Sequence, residues 1–356
     1  MKDPKGKRAA ARVAPPNARR AELPLRRKLL FSLVTVIGLL LLFEAGARLF
    51  VRLAPNARWE SHRQLVDAVG FPALNEILVP DPTLFWSVAP NIDRKVISGR
   101  VARSAPLSFT VSTDEHGARR LSAVPDAQRH VVFLGDSTTF GVGVDDERTF
   151  PALLQQRLGA VQGLNLGVPG YSAYQGNLRL RQQTFVAPPN AVVIDFGFND
   201  AAAWDNLGDA EHEHRMRANR SWVTRNSRLL AVMGGLLQRP AQAPSREAGE
   251  LRPRLTDDEF AAKVREIIGW CRERRAVPIL LVWPLRAQLQ RDGLLPKQRV
   301  LLQVAAAENV RAVNLVPVFR AFGGPAAFVD IVHASGAGNA IVADMLEPAL
   351  KEALAR

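Results

Sequence analysis

Cysteine is almost missing from this chain of 356 residues: Cys271 stands alone, which excludes an internal disulfide and a cysteine-built zinc site and leaves the fold to stand on its core. No H-E-x-x-H occurs, and the one cluster of histidines with acids, Glu211-His212-Glu213-His214, spaces them two apart, so they do not share a helix face and read as a solvated charged segment. The glycines at 135, 141 and 143 lack both the Walker lysine and the G-x-G-x-x-G pattern. Neither a metal, nor a nucleotide, nor any other cofactor is expected. Basic charge is scarce once the N-terminus is set aside. Residues 1–28 hold ten Lys/Arg against two acids, so only +5 of the net charge of +13 is spread over the other 328 residues. No basic run interleaved with aromatics lies beyond that tail, and nucleic acid is not an expected partner.

Long apolar runs are also few, and the longest is diagnostic. Leu29 to Phe43 carries no charge, follows the basic tail directly, and resumes its apolar character after Glu44. Fifteen residues are fewer than the roughly 20 a bilayer core needs, but Lys28 and Glu44 can snorkel and the span extends to about Ala47. The sequence predicts a transmembrane helix over 29–47, with the tail 1–28 in the cytoplasm and everything downstream on the outer side of the inner membrane, periplasmic or extracellular. A cleavable signal peptide is the rival, since Ala45-Gly46-Ala47 offers a small-x-small site. Either alternative exports the rest of the chain.

Residues 54–128 follow no regular period. Prolines stand at 55, 72, 80, 82, 90, 106 and 125 among Trp59, Phe71, Phe85, Trp86 and Phe109, and Ile97 to Thr113 alternates loosely, as half-exposed strands do. The segment reads as a lead-in packed on the main domain. From residue 129 the pattern becomes regular. The strand at Val131–Leu134 ends in Gly135-Asp136-Ser137, and a helix follows from Thr149 to Leu158. Val161–Leu166 is a second strand, Gln175–Phe185 a helix, Ala191–Phe198 a third strand, and Val277–Trp283 and Ala312–Val316 a fourth and fifth. Helices are predicted at Thr256 onward, where Thr256 caps and Cys271 falls on the apolar face, at Lys297–Asn309 and at Gly336–Leu354. Strand and helix alternating five times predict an α/β fold with a parallel sheet covered on both faces. Residues 201–254, rich in charge, are a candidate insertion or lid over residues 129–356.

Open α/β sheets place their ligands at the carboxyl ends of the strands, so the residues there carry the chemistry. Ser137, alone, reads as a helix N-cap as readily as a nucleophile. Asp330 and His333, three apart before the last helix, offer a base and the carboxylate that fixes its tautomer. Oxyanion donors are available at the Ser137 N–H, the Gly167 N–H and the Asn199 side-chain amide, although Gly167 and Asn199 also suit plain turns.

Taken together, Gly135-Asp136-Ser137, Asn165-Leu166-Gly167, Gly197-Phe198-Asn199-Asp200 and Asp330-Ile331-Val332-His333 resemble, in order, the signature blocks of the SGNH (GDSL-type) hydrolases. The resemblance covers about Arg129 to Leu354 and implies a flavodoxin-like three-layer α/β/α fold with a five-stranded parallel sheet. It also implies a serine esterase, with Ser137 as nucleophile, His333 as base, Asp330 as its orienter, and Ser137, Gly167 and Asn199 around the oxyanion. Thr138 departs from the leucine of the family's name motif, and Thr139 breaks G-x-S-x-G, which sets the chain apart from the nucleophile elbow of the α/β-hydrolases. The lead-in, with Pro82, Trp86, Pro90, Gly117 and Arg119, is similar to that of membrane-anchored bacterial members. The expected substrate is an acylated saccharide or lipid of the cell envelope. Transfer of the acyl or O-acetyl group to another acceptor through the same site, or a catalytically idle envelope-binding module, are the alternatives.

Overall fold

The computed structural model describes residues 24–53, 72–81, 83–100, 106–203, 207–218, 227–230, 233 and 252–355. Two units divide the chain at Pro55. The first contains helix α1 (Leu25–Leu53), longer than the 29–47 predicted from the uncharged run because Arg26, Arg27 and Lys28 before it and Arg48 after it continue the helical backbone. Its stretch Leu25–Phe50 has a mean hydropathy of 2.3, which makes it long and apolar enough to cross a membrane, and its large apolar side chains are exposed.

The second unit begins with two short hairpins where the sequence showed little regularity. Strands β1 (Leu78–Asp81) and β2 (Phe85–Val88) pair antiparallel, as do β3 (Lys95–Arg100) and β4 (Pro106–Val111). These hairpins are tied into the main core. Trp86 donates its indole N–H to the Pro169 carbonyl at 2.9 Å, and Tyr171 returns its hydroxyl to the Trp86 carbonyl at 2.6 Å. Arg119 is fully buried and spends all its donors on Asp146 and on the carbonyls of Thr110, Phe140, Gly141 and Val144. Those bonds brace the loop that follows the Gly-Asp-Ser turn.

Five parallel strands form the central sheet: β5 (Arg129–Gly135), β6 (Val161–Asn165), β7 (Ala191–Asp195), β8 (Val277–Val282) and β9 (Arg311–Asn314), in the spatial order β6-β5-β7-β8-β9. This is the flavodoxin-like order, and the strand succession reverses between β5 and β7. The continuous apolar run of β5 is explained by the two faces it must cover. Val132 and Leu134 enter one core with Val192, Ile194, Leu280 and Val282; Val131 and Phe133 enter the other with Val193, Ile279 and Leu281.

Helices α4 (Ala173–Gln182), α6 (Asp257–Glu273) and α7 (Pro296–Ala307) cover the first face, where the hairpins also pack. Helices α3 (Phe150–Leu158) and α8 (Gly336–Leu354) cover the second. A one-turn helix, α2 (Ser137–Phe140), stands between β5 and α3, and α5 (Asp209–Ala218) lies in the region read as a lid. Cys271 is buried on the inner face of α6, and burial pushes its thiol up to about 12.

Most of the predicted lid falls outside the described residues, but both of its described ends are anchored. Arg254, buried, pairs with buried Asp209 at 2.8 Å and donates to the Gly170 carbonyl at 2.6 Å. The His-rich stretch on α5 is solvated on one side only: Glu211 and His214 are exposed, as the composition predicts, and the other side is engaged. Glu213 is buried and accepts from the Tyr174 hydroxyl, Glu211 pairs with Arg252, and the His212 ring lies 6.2 Å from that of Phe85. No metal-binding cluster occurs among the described residues.

Candidate active site

Strand β5 delivers its chain to the switch point and stops at Gly135. A Cβ there would lie 2.1 Å from the Thr139 hydroxyl oxygen and 2.8 Å from the Asp195 carbonyl oxygen, so only glycine lets the chain turn this tightly. The cap of α2 is Asp136, whose carboxylate accepts from the Thr138 N–H at 2.8 Å. The capping role that Ser137 could have filled is therefore taken by its neighbour. The Ser137 hydroxyl is left to the loop before α8: its Oγ lies 2.8 Å from Nε2 of His333. On the far side of the ring, Nδ1 of His333 lies 2.6 Å from Oδ2 of Asp330.

All three residues are buried. Burial raises the pKa of Asp330, but the hydrogen bond and charge of His333 and the N–H groups of His333 and Val332, at 2.7 and 2.8 Å from Oδ1, outweigh it and leave the carboxyl below its ordinary value. Asp330 therefore stays ionised and fixes which ring nitrogen of His333 carries the hydrogen. The loop is itself held. Trp283, after β8, donates its indole N–H to the Val332 carbonyl at 2.8 Å, and the Val329 N–H bonds back to the His333 carbonyl at 2.9 Å.

The remaining two candidate residues sit beside Ser137 with their donors engaged. Asn199, after β7, gives its Nδ2 hydrogens to Oδ2 of Asp136 at 2.8 Å and to the Tyr171 carbonyl at 3.1 Å. Gly167 gives its N–H to Oδ1 of Asn165 at 2.9 Å, and Asn165 in turn donates to the Thr139 carbonyl at 2.9 Å. A Cβ on Gly167 would stand 2.3 Å from the Phe140 nitrogen. Glycine is thus required here for the approach of two backbones. The Ser137 N–H, at the first position of α2, has no intrahelical acceptor.

Sequence reasoning missed a second buried layer beneath these residues. Oδ2 of Asp195, the last residue of β7, lies 2.6 and 2.9 Å from the hydroxyl oxygens of Thr138 and Thr139, and Thr138 Oγ1 also lies 2.7 Å from Oδ1 of Asp136. Burial raises both carboxyl groups. At Asp195 the charge of Asp136 adds to burial and takes the pKa to about 8, whereas at Asp136 the hydrogen bonds from Thr138 and Asn199 and the His333 charge pull the other way. The available signal was a carboxylate at the end of an otherwise apolar buried strand, AVVID.

At the carboxyl edge of this sheet a serine, a histidine and a carboxylate stand in hydrogen-bonded series, an arrangement suited to nucleophilic acyl transfer. The comparison with protein families makes the assignment specific. The model of the GDSL-like lipase/acylhydrolase family matches residues 133–341, more than half of the chain, and the chain belongs to that family. A search of curated proteins finds no match. Among solved structures the chain is similar to a lipase/acylhydrolase from Enterococcus faecalis, at 19% identity over 63% of this chain and 96% of that one, with a TM-score of 0.42. It is also similar to TesA, at 19% identity over 63% and 99% with a TM-score of 0.43, and to an acetylxylan esterase from Geobacillus stearothermophilus, at 18% over 65% and 96% with a TM-score of 0.40.

Proposed function

We propose that this chain is an envelope-anchored serine esterase that works through an acyl-enzyme on Ser137. The observation carrying this reading is the continuous relay from Ser137 Oγ to His333 Nε2, 2.8 Å, and from His333 Nδ1 to Asp330 Oδ2, 2.6 Å. Both lengths are within hydrogen-bond reach for a nucleophile, its base and the group that orients the base. As Oγ bonds to the ester carbonyl carbon, its proton passes to Nε2 and the carbonyl electrons move to oxygen. Collapse of that intermediate expels the alcohol, which takes the proton from Nε2. Water then gives a proton to Nε2, attacks the acyl carbon, and releases the acid as Ser137 recovers its proton.

The oxyanion is received by the Ser137 N–H, with Gly167 and Asn199 each exchanging an internal acceptor for it. Catalytic hydrogen bonds often form only once substrate is bound. A cavity of about 330 Å³ reaches the chain neighbours of Ser137, Asp136 and Thr138, without including the relay itself; its wall is mostly apolar, with Phe196, Phe198, Val282 and Leu301, and carries Asp195 and Lys297 as well, which supports an apolar acyl group as the part of the substrate held by the protein. The reading is therefore an acyl ester carried by a lipid or saccharide of the envelope.

The basic tail 1–28 and apolar helix α1 support an inner-membrane anchor with a cytoplasmic N-terminus, and residues 129–356 form the catalytic domain on the outer side. The test is turnover of p-nitrophenyl esters by the full chain in detergent. Ser137→Ala and His333→Ala are expected to abolish turnover, and the wild type to prefer octanoate to acetate. Unchanged turnover by Ser137→Ala would overturn the mechanism, and an acetate preference would overturn the apolar acyl group.

A further inference from the structure

The layer under the nucleophile presents a counting problem. Thr138 has one hydroxyl hydrogen, yet its Oγ1 lies 2.7 Å from a carboxylate oxygen of Asp136 and 2.6 Å from one of Asp195. Two contacts this short cannot both be made by that single hydrogen. One of the carboxyl groups must supply the second, donating to Thr138 Oγ1. The surroundings decide which.

Asp136 has its oxygens aimed at N–H donors, Oδ1 at the Thr138 amide and Oδ2 at Asn199 Nδ2, each at 2.8 Å, which favours its anion. Among the described residues, Oδ2 of Asp195 meets only the hydroxyls of Thr138 and Thr139. We propose that Asp195 holds a proton in the working enzyme and, through Thr138, is a positioning residue for the oxyanion donor Asn199. The order of donation is then fixed: Asp195 O–H to Thr138 Oγ1, Thr138 O–H to Asp136 Oδ1, and Asn199 Nδ2–H to Asp136 Oδ2.

This inference rests on the esterase reading above, because it assigns a purpose to the group that holds Asn199. Loss of the proton from Asp195 has two effects. It leaves two buried carboxylates competing for one hydroxyl hydrogen, which loosens the support of Asp136. It also adds a negative charge near the place where the oxyanion forms, and like charges in a dry site disfavour it strongly.

The other charged groups near this layer are accounted for. His333 faces Asp136 from the loop before α8. Asp200, after β7, accepts from the Ala173 N–H at 2.8 Å through Oδ1, leaves a buried Oδ2 with no partner among the described residues, and is pushed by burial up to about 7, so its titration is told from that of Asp195 by the loss of the limb in Asp195→Asn. Lys297, on α7 across the cavity, is held at 2.7 Å by both the Leu255 carbonyl and Asp257. From β8 and the segment after it, the cavity receives Val282, Trp283 and Leu285, none of them charged. Burial beside Asp136 places the release of the Asp195 proton at about 8, inside the range an activity profile covers.

The experiment is the pH profile of kcat/KM on a p-nitrophenyl ester, with spontaneous hydrolysis subtracted, for wild type, Asp195→Asn and Thr138→Val. The wild type should lose at least tenfold above an alkaline limb near pH 8. Asp195→Asn, whose amide donates where the acid did, should keep its pH 7 rate within about threefold and lose that limb. Thr138→Val should be slow at every pH. A wild-type profile without an alkaline limb, or a limb unchanged in Asp195→Asn, overturns the proposal while leaving the Ser137 mechanism standing; turnover surviving Ser137→Ala would instead remove the reading beneath it. An infrared difference spectrum gives a measure independent of turnover. The carbonyl band of a buried carboxylic acid should be present in the wild type at pH 7, vanish on going to pH 9.5, and lose its more alkaline component in Asp195→Asn, the component that remains belonging to Asp200. Absence of the band in the wild type at pH 7, or a band unchanged in Asp195→Asn, refutes the proton on Asp195.

Discussion

Replacing Gly167 by alanine tests whether the geometry around Ser137 is set by backbone approach. The added Cβ would stand 2.3 Å from the Phe140 nitrogen, 2.7 Å from the Thr139 carbonyl carbon and 2.8 Å from the Phe140 Cα, where ordinary contacts begin at 3.4 Å. The obstacle is backbone, which no rotamer change relieves, so α2 or the 166–168 loop must yield by about 1 Å. Overpacking of this kind costs about 1–3 kcal/mol, and a shift of that size at reacting atoms costs on the order of 10²-fold in rate. Gly167→Ala is therefore expected to lower Tm by several degrees and kcat/KM about 100-fold. Gly269→Ala is the matched control. Its Cβ meets nothing within 4 Å in the middle of α6, so activity should be unchanged and stability should rise by about 0.5–1 kcal/mol. Thermal melts and ester kinetics on the two variants check the pair. If Gly167→Ala matched wild type in both, the argument from close approach would be wrong.

Four further outcomes follow, three from the same site and one from α1. Asp330→Asn should slow turnover on the order of 10⁴-fold by releasing the tautomer of His333, read as kcat in single-turnover assays. Because the folded-state pKa of Asp330 lies below its ordinary 3.8, the stability it contributes is present above that value and lost as pH falls through the folded one, so the Tm gap between wild type and Asp330→Asn should narrow below pH 3.8. Asn199→Ala should cost about 10² to 10³ in kcat with little change in KM, as expected for a donor used in the transition state. Removing residues 1–53 should move the protein from the carbonate-washed membrane pellet to the soluble fraction, and retention in the pellet would contradict an anchor in α1.

Legibility in the sequence followed the range of the interactions involved. The strands of the sheet, and α8 with its bounds Gly336–Leu354, were readable because continuous apolar runs and caps are local signals. The same holds for Thr256, whose capping box with Glu259 starts α6. The second hairpin showed in part through the loose alternation of Ile97 to Thr113, but the first did not, since Pro80 and Pro82 obscure its pattern and Trp86 on it is bonded to the distant Pro169 and Tyr171. The types of the site residues were visible, but their wiring was not. That Asp136 rather than Ser137 caps α2, that Asn165 occupies the Gly167 N–H, and that Asp195 meets Thr138 depend on side chains brought together by the parallel crossovers.

The central claim is that Ser137 is the nucleophile, made reactive by His333. The most direct measurement is peptide mass spectrometry of the folded, full-length protein after reaction with a fluorophosphonate. The account predicts one adduct, on the peptide containing Ser137, formed in the wild type, lost in Ser137→Ala and slowed by orders of magnitude in His333→Ala. No adduct on the folded wild type, or an adduct that survives Ser137→Ala, would contradict it.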